Sequence, residues 1–320
     1  MIDMKLVSTI SNSILYIVNL SAYLILIKYL QYKYNYNNFW YNTLLSILLS
    51  PIYLIFCADI SFRNRIKNYG WIIFYPIFAG LIYTFESLLL YYSVNNLNLS
   101  YYTILRSSFI IWNIPFFILL LNKKSSGFYY FATFLLTLSY VFIVYYYLNK
   151  DNNLLNPTIS IFISCLLNTF YNIIIEYSLK KHNIYNLDFH IIFQISYFVF
   201  AFIPSLKMSI EYAPPLNDEF IILSFFISIC LQLYFYNKTV ILENNSQLVP
   251  SNVLMSGLDL IRRFVLLFFA FLMYNDDFNV YIGISVLLFS LSSVFIFLEY
   301  LKPIRKKISE YNEMVEMVEI

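Results

Sequence analysis

Residues 98–121 read NLSYYTILRSSFIIWNIPFFILLL, an apolar run of membrane length with Arg106 about a third of the way along. About 20 apolar residues span a bilayer as a helix, because a helix satisfies its backbone N–H and C=O groups within the segment. An arginine inside such a helix costs from about 3 to about 10 kcal/mol unless it meets a partner or a water-filled cavity. Another helix must therefore answer Arg106. Tyr102, four residues before it, and Asn113, seven after, share its face, so the polar stripe is expected to look into a bundle interior.

Runs of this kind recur. Ten segments are expected, at 8–30, 39–60, 70–92, 98–121, 127–148, 157–179, 189–206, 219–242, 248–274 and 278–301, with segment 7 the shortest. With 60% hydrophobic and 12% charged residues among 320, and a mean hydropathy of +0.68, the chain is polytopic and leaves no stretch able to bury a soluble core. The longest polar stretches are residues 207–218 and the tail after Pro303, whose acidic end at 310–319 reads as solvated. The first run is already membrane-length, so no cleavable leader is expected. If the N-terminus is cytosolic, alternate loops place thirteen Lys and Arg on that side, Lys238 among them, and four on the other. That asymmetry puts both termini in the cytosol and favours an even number of helices.

The three cysteines, Cys57, Cys165 and Cys230, lie in apolar segments without metal-ligand spacing and read as core residues. His182 and His190 fall in or beside a polar loop and read as solvated. Thirty-two Tyr and thirty-two Phe accompany many Ile, Asn and Lys, all with A/T-rich codons, so a single tyrosine carries little weight as a ligand.

Two five-helix halves are expected. Segment 4 carries Tyr102, Arg106, Phe109 and Asn113 at i, i+4, i+7 and i+11; segment 9 carries Asn252, Ser256, Asp259 and Arg263 at the same intervals. Since five is odd, the two segments enter the membrane from opposite sides, which is an inverted repeat. The boundaries are 1–150, 151–302 and an acidic tail at 303–320. Glu86 and Arg106 lie at depths that differ by about 3 Å and are expected to pair. Asp259 is expected to pair with Arg262 at i+3, leaving Arg263 about 100° around the helix. Ser164, Asn168, Asn172 and Glu176 form a polar stripe on segment 6, and Asn12, Asn19, Gln194 and Gln232 add amides. Each is also explicable as an interhelical tie. Together they point to a hydrated central cavity.

These blocks resemble the drug/metabolite transporter superfamily, and within it the nucleotide-sugar-transporter-like solute carrier family 35, closest to its F6-type, chloroquine-resistance-transporter-like subgroup. The similarity rests on Ser100-Tyr-Tyr-Thr-Ile-Leu-Arg106 in segment 4, on Glu176 through Lys181-His182-Asn183 leaving segment 6, and on Leu258-Asp259-Leu-Ile-Arg262 in segment 9. The chain departs from the subgroup in having Ala79-Gly80 for a Cys-Asp pair, Ser107 for a glycine, and a short cysteine-free loop between segments 7 and 8. The resemblance implies an all-α membrane fold of ten helices in two inverted repeats, and an endomembrane location such as Golgi, ER or a lysosome-like organelle.

The expected function is secondary transport or exchange of a small anionic metabolite, such as a nucleotide sugar, by alternating access. Five glycines leave no phosphate cradle of P-loop type. Arg106, Arg262 and Arg263 would attract the anion, and Glu86 and Asp259 would hold the arginines or exchange a proton. Tyr102, Asn113, Asn168, Asn172 and Glu176 complete the expected site. Within transport the alternative is a carrier of cations, drugs or small peptides. A transferase would need an acidic metal pair or a His-centred motif, and Asp276-Asp277 qualifies by composition only. A non-transporting scaffold is the remaining alternative. No cofactor, metal or nucleic-acid partner is expected; the partners are a small-molecule substrate and membrane lipid, with a homodimer open.

Overall fold

The computed structural model describes residues 4–34, 39–57, 59–121, 127–150, 152–211, 217–244, 251–274, 276 and 278–318. The Lys123-Lys124 pair, Asp277, residues 212–216 of the 207–218 stretch and the side chains of Lys5, Asn252 and the tail lie outside them, while 207–211 are helical. The described residues are helical throughout, with no strand. In chain order the helices are α1 (Met4–Tyr34), α2 (Phe39–Ile47), α3 (Tyr53–Phe56), α4 (Ile60–Tyr69), α5 (Phe74–Asn96), α6 (Leu99–Arg106), α7 (Phe109–Leu121), α8 (Gly127–Lys150), α9 (Leu155–Lys180), α10 (Asn186–Glu211), α11 (Asp218–Asn244), α12 (Ser251–Met273) and α13 (Val280–Val318).

The chain is an all-α, multi-pass membrane protein. Among the described residues seven helices are long and apolar enough to cross a membrane. Three of the ten expected segments fall outside that number, each for a physical reason. Segment 2 is split into α2 and α3, segment 4 into α6 and α7, and α12 is a 23-residue helix loaded with Asp259, Arg262 and Arg263. Segment 7 is full length after all, as the 26-residue α10.

The break in segment 2 corrects the single helix expected there. Pro51 sits in a short 3-10 turn, Ser50–Ile52, and α2 ends at Ile47, the residue whose carbonyl a proline ring at position 51 would strike. Backbone groups freed inside a bilayer need new partners. Neighbouring helices supply them: Ser228 Oγ donates to the Leu45 carbonyl and Gln232 Nε2 to the Ser46 carbonyl at 3.4 Å. Ser50 Oγ donates to Gln194 Oε1 at 3.0 Å. Gln194 and Gln232 therefore serve this break rather than a cavity.

The break in segment 4 comes directly after Arg106. Ser107 N and Ser108 N donate to Ile104 O (3.1 Å) and Leu105 O (3.0 Å), the tighter i→i−3 pattern, and the Ser107 hydroxyl also takes the Ile104 carbonyl. Hydroxyls bonding back to their own turn in this way bend helices.

On the face where α4 lies, Asp59 caps that helix by accepting from Ser61 N at 3.2 Å. The basic residues Arg63, Arg65 and Lys67 thus sit on a short helix, not on a loop. Gly70, at φ +54°, supplies the left-handed turn into α5. Gly80 is required for another reason: a Cβ there would lie 2.7 Å from Ser196 Cβ and 3.0 Å from the Tyr197 nitrogen, so α5 and α10 touch backbone to side chain. Asn183, at φ +51°, ends α9, with Ile184 N returning to Ser178 O at 3.2 Å. The helix of segment 10 does not stop near 301; α13 continues through the acidic tail to Val318.

The closest-packed pairs are α5 with α9, α1 with α11, and α8 with α13; α10 packs on α5 and α2, α12 on α1, and α7 on α9. Outward side chains such as Ile14, Val18, Phe85, Phe134, Ile203 and Phe268 are exposed apolar groups suited to lipid.

Candidate functional site

Where α1, α5, α6, α9, α11 and α12 converge they leave a polar cavity of about 30 Å³. That volume holds water and no metabolite. Its walls carry Glu86 and Tyr83 from α5, Tyr102 and Arg106 from α6, Asn168 from α9, Tyr234 from α11, Asp259 and Arg262 from α12, and Tyr16 and Tyr23 from α1.

Arg106 is 6% exposed, and both terminal nitrogens of its guanidinium have partners. Nη2 donates to Glu86 Oε1, Nη1 to the Ser164 hydroxyl, and Cys165 Sγ lies 3.8 Å from Nη1. The expected pair with Glu86 forms, and a third helix, α9, closes it. On α12 the outcome is different from the expected one. Arg262 Nη2 donates to Asp259 Oδ1, but Arg263 also turns to the same carboxylate, with Nε 2.7 Å from Oδ2. Residues at i+3 and i+4 both fall on the face of residue i, so one aspartate holds two arginines. Arg263 Nη1 then reaches across to the Thr103 carbonyl of α6 at 3.1 Å, and its guanidinium lies over the Phe109 ring. Each charged helix therefore has an arginine that crosses to another helix.

The structure brings Glu86, Tyr102, Arg106, Asn168, Asp259 and Arg262 to the cavity and sets Arg263 just behind it. Asn113 lies apart: Nδ2 donates to Ser256 Oγ at 3.3 Å while Thr169 Oγ1 donates to Asn113 Oδ1 at 3.1 Å. Asn172 is buried away from the cavity wall, and Glu176 accepts from Lys180 at 3.1 Å near the end of α9. The sequence reading passed over Tyr16, Tyr23, Tyr83 and Tyr234. Tyr16 and Tyr23 lie seven residues apart in segment 1, a helical spacing that could have flagged them. It also placed Lys238 in a cytosolic loop, whereas Lys238 is 1% exposed inside the bundle. His190, expected to be solvated, is buried, with Nε2 2.9 Å from the Tyr53 hydroxyl.

Several buried polar atoms have no protein partner, among them Glu86 Oε2, Tyr102 OH, Tyr171 OH and Arg262 Nε. Buried polar atoms are nearly always hydrogen-bonded, so these mark where water or a ligand belongs. Polar ties also join the helices toward the two ends of the bundle. At one end Lys33 pairs with Glu219, Lys28 donates to the Leu97 carbonyl at 2.7 Å, and Asp276 accepts from Ser100 N at 2.7 Å. At the other, Arg65 grips Asp188 with two bonds of 2.7 and 2.8 Å, Tyr69 adds a third at 2.7 Å, and His182 stacks on Tyr75.

No family model matches the chain, and no curated protein matches its sequence. What the site does is argued from its own chemistry. Two carboxylates and the paired arginines form fixed charges around a polar space, and Glu86, Tyr102 and Arg262 in its wall each keep a buried atom without a hydrogen-bond partner among the described residues. Among the described residues no group of three or more His, Cys, Asp or Glu is placed to hold a metal ion.

Proposed function

We propose that this chain is a secondary carrier or exchanger of a small anionic metabolite, working by alternating access about the central cavity. The observation that carries the reading is a water-sized polar cavity, walled by arginine–carboxylate clusters from α5–α6 and from α12, in a bundle whose two ends carry separate polar ties. Ties of this kind can open one at a time, which alternating access requires.

The carrier is read as ten crossing segments in two inverted halves with both termini cytosolic, in the manner of the drug/metabolite transporters. Helix neighbours support this. Shifting every segment by five turns the pair α5 with α9 into α11 with α1, returns α8 with α13 to itself, and turns α7 with α9 into α12 with α1. The other two buried acids among the described residues, Asp188 and Glu176, pair with Arg65 and Lys180 away from the cavity, so at the cavity four buried cations, Arg106, Arg262, Arg263 and Lys238, stand against two acids, Glu86 and Asp259, which favours an anionic substrate such as a nucleotide sugar. An endomembrane location and exchange as the driving mode belong to the same reading. No chemical step on the substrate is part of it.

One observation favours a second reading, a carrier of organic cations: five tyrosines, Tyr16, Tyr23, Tyr83, Tyr102 and Tyr234, line the cavity, and aromatic walls with carboxylates attract cations. A thermal-shift screen of the detergent-purified chain separates the two, because a ligand that binds only the folded state raises the melting temperature. Stabilisation by a nucleotide sugar and its matching nucleoside monophosphate, followed by faster uptake into liposomes preloaded with the monophosphate, is expected. Stabilisation by organic cations alone would move the protein to the second reading. Turnover of a nucleotide sugar by the purified chain would replace both with a transferase.

A further inference from the structure

We propose that Lys238 is the anion-binding residue of the central cavity, taking the phosphate or carboxylate group of the carried metabolite. The inference rests on the anion-carrier reading and names the residue that does the binding.

Each of the three buried arginines has a carboxylate partner: Arg106 has Glu86 to itself, while Arg262 and Arg263 share the single charge of Asp259. Lys238 has none. Among the described residues no carboxylate pairs with it. Its ammonium has only neutral company: Asn168 Oδ1 at 3.5 Å, the Tyr234 hydroxyl at 3.4 Å, and the face of Tyr171, whose centroid is 4.3 Å away. Glu86 and Asp259 act on it from a distance and Arg106 and Arg262 oppose them. A buried ammonium without a counter-ion costs several kcal/mol, and an arriving anion is what removes that penalty.

Placement makes the binding feasible. Asn168 and Tyr234, the two side chains that touch the ammonium, line the cavity, so the charge lies directly behind its wall. Lys238 is near the C-terminal end of α11 and could be expected to snorkel to the nearer surface. Side chains on a helix lean toward its N-terminus, and here that direction is the membrane interior. The donors left over nearby are of the right kind: Tyr171 OH, Tyr102 OH and Arg262 Nε are buried without acceptors. An anionic oxygen is a strong acceptor, which is what these donors lack. At about 30 Å³ the cavity is too small for such a ligand, so the anion is taken in a wider state of the same site.

The test compares the full-length wild type with Lys238→Met and Lys238→Arg, purified in detergent, by melting temperature against inorganic phosphate, uridine monophosphate and tetraethylammonium. Both anions are expected to stabilise the wild type. Lys238→Met should melt at or above the wild type without ligand, because a side chain of similar length replaces an uncompensated charge, and should need at least tenfold more of either anion. Lys238→Arg should recover most of the response. Three results overturn the inference. An anion response unchanged in Lys238→Met does so while leaving the anion carrier standing. A Lys238→Met protein that melts well below the wild type makes Lys238 a structural tie. A wild type stabilised by neither anion sinks the site, and stabilisation by tetraethylammonium in that case sinks the anion-carrier reading with it.

Discussion

Helix α12 and the broken pair α6–α7 meet one problem, arginine inside an apolar segment, in opposite ways. α12 partners its charges within one turn, since the one carboxylate of Asp259 holds both Arg262 at i+3 and Arg263 at i+4 while the helix runs unbroken for 23 residues. Arg106 has no acid on its own helix and is held by Glu86 of α5 and Ser164 of α9, and its helix breaks at the next residue. The first arrangement forms as soon as the helix does. The second exists only when three helices are packed. A charge settled locally stabilises a segment, whereas a charge settled across helices ties the bundle together and can be untied when helices move.

The sharpest way to break this contrast is to remove each acid. Asp259→Ala strands two buried guanidinium groups and is expected to have the largest effect, about 5 kcal/mol of stability at the upper end for a broken buried pair. Denaturant-driven unfolding in mixed micelles measures it, and a loss below that of Glu86→Ala would reverse the comparison. Glu86→Ala strands one arginine that keeps Ser164, so about 3 kcal/mol is expected. The double variant Glu86→Ala/Arg106→Ala should be less damaged than the sum of the singles, by about 1–3 kcal/mol of coupling. Additive losses would mean the cross-helix pair is not a tie.

Gly80→Ala comes next. Its methyl would press on Ser196 and on the backbone of α10, where neither can retreat cheaply, and overpacking of this kind costs about 1–3 kcal/mol. Cysteine cross-linking between α5 and α10 should slow in the variant; an unchanged rate and stability would show that the two helices separate freely. The smallest effect belongs to Asp59, outside the membrane. The Ser61 hydroxyl and amide hold its carboxyl below the usual aspartate range. A depressed folded pKa contributes stability that is present above the unfolded value and lost as pH falls through the folded one. Asp59→Asn should therefore slightly flatten the acid limb of the stability profile, and an unaltered limb would remove the cap from the account.

Much of the site was legible in the chain because helix geometry is a rule of spacing. Asp259 with Arg262 follows from i, i+3, and Glu86 with Arg106 from equal depth on adjacent segments. Arg263 was missed as a third party because about 100° separates it from Arg262, whereas at i+4 it stands only about 40° around the helix from Asp259 itself. Lys238 and His190 were assigned to polar surfaces by their nearness to segment ends, and only neighbouring helices show that both are covered. The kinks differ in the same way. Pro51 announces its break chemically, while Ser107-Ser108 is ordinary until the Ser107 hydroxyl is seen to take a backbone carbonyl.

By itself the sequence determined the membrane class, the helical state and the approximate limits of its segments, because backbone groups in hydrocarbon must bond within their own helix. It also determined that the buried charges need partners, because solvation by lipid is negligible. Tertiary structure alone decided which acid holds which arginine across helices, where the segments break, that Gly80 is a contact point, and that Lys238 beside the cavity has no counter-ion among the described residues. These are questions of what lies across a gap of a few ångströms, and the order of residues along one helix does not contain the face of the next.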